Sequence, residues 1–166
     1  MRRFVRFTLP LLLMLGMMFY VSGDWGSTKH TRPALRSILW RVAPALAARL
    51  HPEQVNRIDY DIRKTAHVTE YCLLAVLAYR AVRRDSLQFK SRQILFPILL
   101  GVGYAAGDEW HQSFVPSRTS SVEDILYDSL GVMIGSVLCQ WRSQLQLLKQ
   151  NRPHPQGVEP VERPEV

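Results

Sequence analysis

The sequence predicts an all-α protein: an integral membrane bundle of about four transmembrane helices, with a short amphipathic surface helix in its first loop. Three observations lead there. Apolar residues are bunched into blocks with the charges between them, although mean hydropathy over the whole chain is near zero. The third block is an unbroken apolar, glycine and proline series from Ile94, without the polar face of a soluble amphipathic helix. The blocks are also close to the length needed to cross ~30 Å of hydrocarbon at ~1.5 Å per residue. The competing reading is a soluble helical bundle with unusually apolar helices.

The first span runs from Phe4 to Val21, "FVRFTLPLLLMLGMMFYV", behind Arg2 and Arg3. A basic head and apolar core also fit a secretory signal, and the small-residue stretch "VSG" follows. The length of the run favours a retained anchor. In the loop from Ser22 to Lys64, Ala34, Leu35, Ile38, Leu39 and Val42 fall on one helical arc, with Arg36, Ser37 and Arg41 on the other. Pro44 ends or kinks that helix. It reads as lying on the membrane surface, or as packed against the bundle. The second span is about Thr65 to Val82, the third Ile94 to about His111, and the fourth about Val122 to Trp141. About ten residues join the last two, which predicts a tight antiparallel hairpin. The tail from Asn151, "NRPHPQGVEPVERPEV", has no apolar period and is expected to be disordered, with His154 in solvent. The organisation is therefore a first transmembrane helix (1–22), a loop with the amphipathic helix (23–63), a core of three transmembrane helices (64–141) and a largely disordered cytoplasmic tail (142–166).

Net charge is +7, but the basic residues are scattered. Nucleic-acid binding calls for clustered Lys and Arg on a soluble module, so no nucleic-acid partner is expected. Cys72 and Cys139 lie inside apolar blocks and read as buried thiols, not as a disulfide framework or metal knuckle. Basic residues favour cytoplasmic flanks. Arg2, Arg3 and Arg6 flank span one, while Arg83, Arg84, Lys90 and Arg92 flank the loop between spans two and three. Arg118 is the lone basic residue of the hairpin. Both termini and the middle loop are then cytoplasmic, and the hairpin faces outside. The first loop pulls the other way, with eight basic and four acidic residues on the outer side.

In either orientation, helix order gathers the unusual polar residues at one surface. The stretch "GDEWHQSFVPSRTSSVEDILYD" holds five carboxylates and one cation, Arg118, between two apolar runs. Lys64, His67 and Tyr71 share a face of span two, with Glu70 beside them. Asp108, Glu109 and Gln112 end span three, where Trp110 reads as an interfacial anchor. Asp124, Asp128, Gly131 and Gly135 form a stripe on span four. The glycines there and at Gly103 and Gly107 predict that spans three and four pack closely through them. Ser121, three residues before Asp124, predicts a capping box. Four unpaired acids at mid-bilayer would cost on the order of 10 kcal/mol. They must therefore lie near the headgroups or pair with Lys64, Arg118 or protonated His67, and Asp128, one turn deeper than Asp124, needs a partner most.

The blocks "RKTAHVTEYCLLAVLAYRA" and "GYAAGDEWHQSFVPSRTSSVEDILYDSLGVMIG" resemble the two motif blocks of the VanZ-like membrane proteins. The family's Arg-Lys-x-x-His-x-x-Glu-Tyr block falls on Arg63, Lys64, His67, Glu70 and Tyr71. Its Asp-Glu-x-x-Gln-x-Phe-x-Pro-Gly-Arg block falls on Asp108, Glu109, Gln112, Phe114, Pro116 and Arg118, with Ser117 in place of the glycine. An Asp-x-x-x-Asp-x-x-Gly helix follows on Asp124, Asp128 and Gly131. The likeness covers about Asp59 to Gly135. It implies a bacterial cytoplasmic-membrane protein of about four spans, from a family whose named member is associated with low-level teicoplanin resistance.

These readings give an outer-face pocket for a lipid-linked or phosphate-bearing envelope ligand. Its expected ligand-binding residues are Lys64, His67, Glu70, Tyr71, Asp108, Glu109, Gln112, Arg118, Asp124 and Asp128. Lys64 and Arg118 would hold an anion, the acids would orient those cations, and His67 would donate or shuttle a proton. His67, Glu70, Asp108, Glu109, His111 and Asp124 could ligate a metal, but no metal-site spacing such as HExxH appears, and neither metal nor cofactor is expected. Nothing resembles a nucleophile elbow, Walker loop or phosphatase signature. A membrane-embedded enzyme acting on an envelope lipid and a non-catalytic scaffold of envelope proteins remain the alternatives. The oligomeric state is left open.

Overall fold

The computed structural model describes residues 1–83, 91–118 and 120–150, and their regular structure is helical throughout. A π-helical turn, Phe4–Thr8, leads into α1, Leu9–Ser22. A 3-10 turn, Asp24–Gly26, then precedes α2, Thr28–Val42, and the one-turn α3, Pro44–Ala47. Three long helices follow: α4, Pro52–Arg83; α5, Arg92–Gln112; and α6, Val122–Gln150. Among the described residues one segment, Phe4–Ser22, is long and apolar enough to cross a membrane by length and composition.

The observed bounds differ from the predicted ones at two charged stretches. The second span was expected from Thr65, but α4 is one unbroken helix from Pro52, so the boundary at 63/64 falls inside it. Charged residues such as Arg57, Asp59 and Asp61 hide this start from a search for apolar runs, yet they are compatible with helix, and Pro52 occupies the first helical position it favours. Residues 142–150, expected to open the tail, continue α6. The rest of the tail and most of the basic loop between spans two and three, including Arg84 and Lys90, lie outside the described residues.

Phe7, Leu11, Met14, Met18 and Ser22 are buried along one face of the amino-terminal helix, at steps of three and four. Leu11, Met14 and Met18 meet Tyr71, Leu74, Ala75 and Ala78 of α4, Ala105 of α5 and Val132 of α6 in one core. Tyr104 on α5 donates its hydroxyl to the Leu15 carbonyl of α1 at 2.8 Å.

The glycine seam is not the predicted one. Gly131 and Gly135 of α6 face the backbone of α4, at Val68 and Cys72, whereas Gly103 and Gly107 of α5 face open space. The contact of α5 with α6 is made by Gly101 against Val132. Spacing alone marks a small-residue stripe but not its partner. That choice is set by which faces the bundle turns inward, and α4 presents Tyr71, Cys72 and Ala75 to α6.

Beside its apolar core, the bundle buries polar side chains and exposes large apolar ones. Asp108, Glu109, Gln112, Asp124, Asp128, Ser136 and Ser143 are buried. Val122, Leu126, Leu130, Met133, Val137 and Trp141 of α6 are exposed, as are Leu12, Leu13 and Met17 of α1 and Leu95, Leu99 and Trp110 of α5. The α6 stripe from Val122 to Trp141 is about 28 Å long, close to the hydrocarbon thickness of a bilayer. α2 has no buried residue: Ile38, Trp40 and Val42 are exposed, while Leu35 and Leu39 are half-covered. Cys72 and Cys139 are free and half-buried, not fully buried as expected.

Candidate functional site

The middle of α4, the carboxyl end of α5 and the amino end of α6 meet at one pole of the bundle, with the end of α1 and the start of α2 beside them. An ion pair, a histidine–carboxylate contact and a backbone donor join them. Lys64 on α4 pairs with Asp124 on α6. One turn deeper, His67 Nδ1 lies 3.1 Å from an oxygen of Asp128, which is fully buried. The fully buried Tyr71 adjoins the same carboxylate. Residues sixty apart in sequence thus meet because α4 and α6 run side by side with Gly131 and Gly135 between them.

The predicted capping box does not close on itself. Ser121 Oγ accepts from the Glu123 N–H at 3.2 Å, an ordinary N-cap bond. The backbone N–H of Ser121, which a capping box would pair with the acid three residues on, instead donates to Glu109 Oε2 of α5 at 2.8 Å. Glu109 therefore caps α6 from another helix, which leaves Asp124 to Lys64. Beside it, Gln112 Nε2 bridges Asp108 at 2.8 Å and Ser22 Oγ of α1 at 3.1 Å.

Arg118 sits differently from expectation. No carboxylate among the described residues pairs with it. Its Nε donates to the Gly23 carbonyl at 3.0 Å and Nη2 to the Val21 carbonyl at 2.9 Å, so it caps the carboxyl end of α1. Nη1 makes no hydrogen bond to the described residues. Gly26 makes room for this guanidinium, since a Cβ there would strike Nη2. The turn before Arg118 runs from Val115 through Pro116 and Ser117, closed by the Arg118 N–H on the Val115 carbonyl at 3.0 Å. Ser117 donates its hydroxyl to Asp24, which also pairs with His30 at 3.0 Å.

Those bonds from Ser117 and His30 hold the Asp24 carboxyl below its ordinary value. A depressed carboxylate contributes stability that is fully present above the unfolded value, near 3.8, and is lost as pH falls through the folded one. The tie between α1 and the hairpin is therefore expected to persist at pH 5 and loosen below about pH 4. Melting curves of wild type and Asp24→Asn check this: they should differ at neutral pH and converge in acid.

Two cavities adjoin at this pole. The outer one, about 260 Å³, is lined by Tyr60, Lys64, Ser121, Glu123 and Asp124 among others. The inner one, about 190 Å³, is bounded by Met18, Val21, Ile62, Ala66, Glu70, Tyr71 and Asp108. Arg63, His67 and Arg118 line both and form a collar between them. Lys64 is already engaged: besides Asp124, its ammonium lies 5.0 Å from the Tyr60 ring centre and 5.1 Å from that of Tyr127. Burial first, then neighbouring Arg63, pushes the Lys64 ammonium below its usual value, and the same two causes act on Arg118. At the collar the charges of Arg63 and Arg118 repel each other, and Asp108, Glu109 and Glu70 act in the opposite sense on Arg118.

Seven expected site residues line these cavities: Lys64, His67, Glu70, Tyr71, Asp108, Arg118 and Asp124. Glu109, Gln112 and Asp128 stand behind them and hold the helix ends. His111 stacks on Phe19 at 4.6 Å, away from the cavities. Among the described residues no group of three or more His, Cys, Asp or Glu side chains could hold a metal. Sequence reasoning omitted Arg63 from the site, although it opens the first motif block, and its buried Nε has no hydrogen-bond partner. It also missed the α1 end at Val21, Ser22, Gly23 and Gly26, where only the tertiary contacts reveal a role.

The family model described as VanZ/LLP1 matches residues 7–143. The chain belongs to the VanZ/LLP1 family. The match takes in α1 to α5 and most of α6, and so both motif blocks of this VanZ-like protein. No curated protein and no solved structure matches the chain significantly.

Proposed function

We propose that this VanZ-like chain is a four-span protein of the bacterial cytoplasmic membrane, with both termini inside, whose outer-face pocket binds the phosphate of a lipid-linked envelope ligand. The pattern of burial supports the membrane placement: buried acids and exposed apolar stripes on α1, α5 and α6 match lipid outside and polar contacts within. The observation that carries the ligand is the collar. Arg63, His67 and Arg118 face both cavities, Arg63 Nε lacks a partner, and Arg118 keeps Nη1 open while two backbone carbonyls fix its plane. A guanidinium held this way presents donors to a phosphate with little ordering cost. The anion-binding role expected of Lys64 moves to Arg63. Glu123, which also lines the outer cavity, would receive hydroxyl or amine groups of the same ligand. A contribution to teicoplanin resistance would follow from capture of such a ligand.

Mass spectrometry of lipids co-purified with wild type, Arg63→Ala and Arg118→Ala tests this. A phosphate-bearing lipid should be enriched on wild type and reduced by about ten- to a hundredfold on either variant, the loss of a charge-assisted bond. Arg63→Ala is the cleaner arm, because it leaves the cap on α1 intact. Equal lipid on all three proteins would end the reading.

A catalytic reading has one observation in its favour. His67 is bound through Nδ1 to a fully buried carboxylate and borders both cavities, an arrangement able to orient a general base. Turnover of the bound lipid by wild type but not by His67→Ala would replace capture with catalysis.

A further inference from the structure

The geometry points to a lateral portal between α1 and α4 through which the hydrocarbon tail of a bound lipid monophosphate leaves the collar, with Ala66 setting its width. This rests on the phosphate reading above and adds where the rest of the ligand lies. Beside the collar the inner cavity has apolar walls from two helices: Met18 and Val21 on α1, Ile62 and Ala66 on α4. Ile62, Ala66 and Glu70 also line, together with Asp61, Thr65 and Thr69, a shallower groove of about 540 Å³ on the flank of α4. Ile62, Ala66 and Glu70 lie four residues apart in a row along the helix. Inner cavity and outer groove therefore share three residues of α4, and Ile62 and Ala66 are exposed there.

The occupant follows from what lines this path. An anion stops at Arg63 and Arg118. Glu70 and Asp108, which also line the inner cavity, repel a second anionic group, so the ligand carries one phosphate rather than two. A purely polar ligand would leave the apolar walls of α1 and α4 wet, whereas an alkyl or acyl chain covers them and continues into the groove. Alanine is the narrowest side chain in the row. A bulky residue there would plug the passage without crowding the helix core, because position 66 is exposed.

Phosphatidic acid carrying a photoreactive group in its acyl chain tests the portal on the full-length protein in nanodiscs of zwitterionic lipid. Cross-links should fall on Met18, Val21, Ile62 and the residues around Ala66. Ala66→Trp should weaken phosphatidic acid binding by about tenfold, the loss of roughly two buried methylene groups. Binding of glycerol 3-phosphate, which has no tail, should fall by less than that of phosphatidic acid in the same variant. Ala66→Ser, which keeps the gap, should bind both as wild type does. The portal is refuted if Ala66→Trp retains phosphatidic acid normally, or if cross-links appear only along the exposed α6 stripe, while Arg63→Ala still loses binding. If Arg63→Ala and Arg118→Ala keep both ligands, the phosphate site falls with it.

Discussion

Gly131→Leu is expected to abolish recovery of folded protein, and Gly131→Ala to lower its melting temperature. A Cβ at this position would collide with the Val68 carbonyl of α4 and crowd the Cys72 N–H and the Tyr71 side chain. The obstacle is mainly backbone, so no rotamer change relieves it. Overpacking of a well-filled interior costs about 1–3 kcal/mol even where side chains can yield. Here α6 would have to move off α4, which would also separate Lys64 from Asp124 and His67 from Asp128. Gly103 and Gly107 provide the contrast, because both face open space on α5. Replacing either with Ala should be neutral or stabilising by up to about 1 kcal/mol, since glycine is a poor helix former. Size-exclusion profiles and melting temperatures of the four variants in detergent decide the matter. Equal sensitivity at Gly103 and Gly131 would mean that the helix pairing described above is wrong.

Asp128→Ala is expected to be the most damaging change among the charged residues. The carboxylate is fully buried, and its removal leaves His67 Nδ1 without its partner in the interior and takes away the group beside Tyr71. Removing one partner of such a hydrogen bond costs about 1–3 kcal/mol, because the survivor is left without its partner. Asp128→Asn keeps a polar group of the same shape and should lose less. The double variant His67→Ala/Asp128→Ala should be milder than the sum of the single ones, since the group left stranded by the first change is removed by the second. Strict additivity in a melting-temperature cycle would show that the two side chains are not coupled.

Much of this site was legible from periodicity. Steps of three and four on α4 put Lys64, His67 and Tyr71 on one face, and steps of four and seven on α6 did the same for Asp124, Asp128 and Gly131. Partnership was less legible. Arg118 is the one cation in a stretch of five acids, which suggests that it pairs with them, yet it binds carbonyls of α1 more than ninety residues away. Glu109 likewise serves a helix other than its own. Neither contact leaves a local pattern, because each depends on how helix ends meet across the bundle.

The sequence by itself determined the helical class, the pole at which acids and bases collect and the VanZ-like motif blocks. These follow from side-chain periodicity and helix order, which are properties of the chain. Only the tertiary structure decided that Gly131 and Gly135 seat α6 on α4, that Arg63, His67 and Arg118 form the collar, and that Lys64 is engaged by Asp124 between two tyrosine rings. The physical reason is that close packing and ion pairing depend on the relative rotation of separate helices. That rotation is fixed by the whole set of buried faces at once and by no single segment.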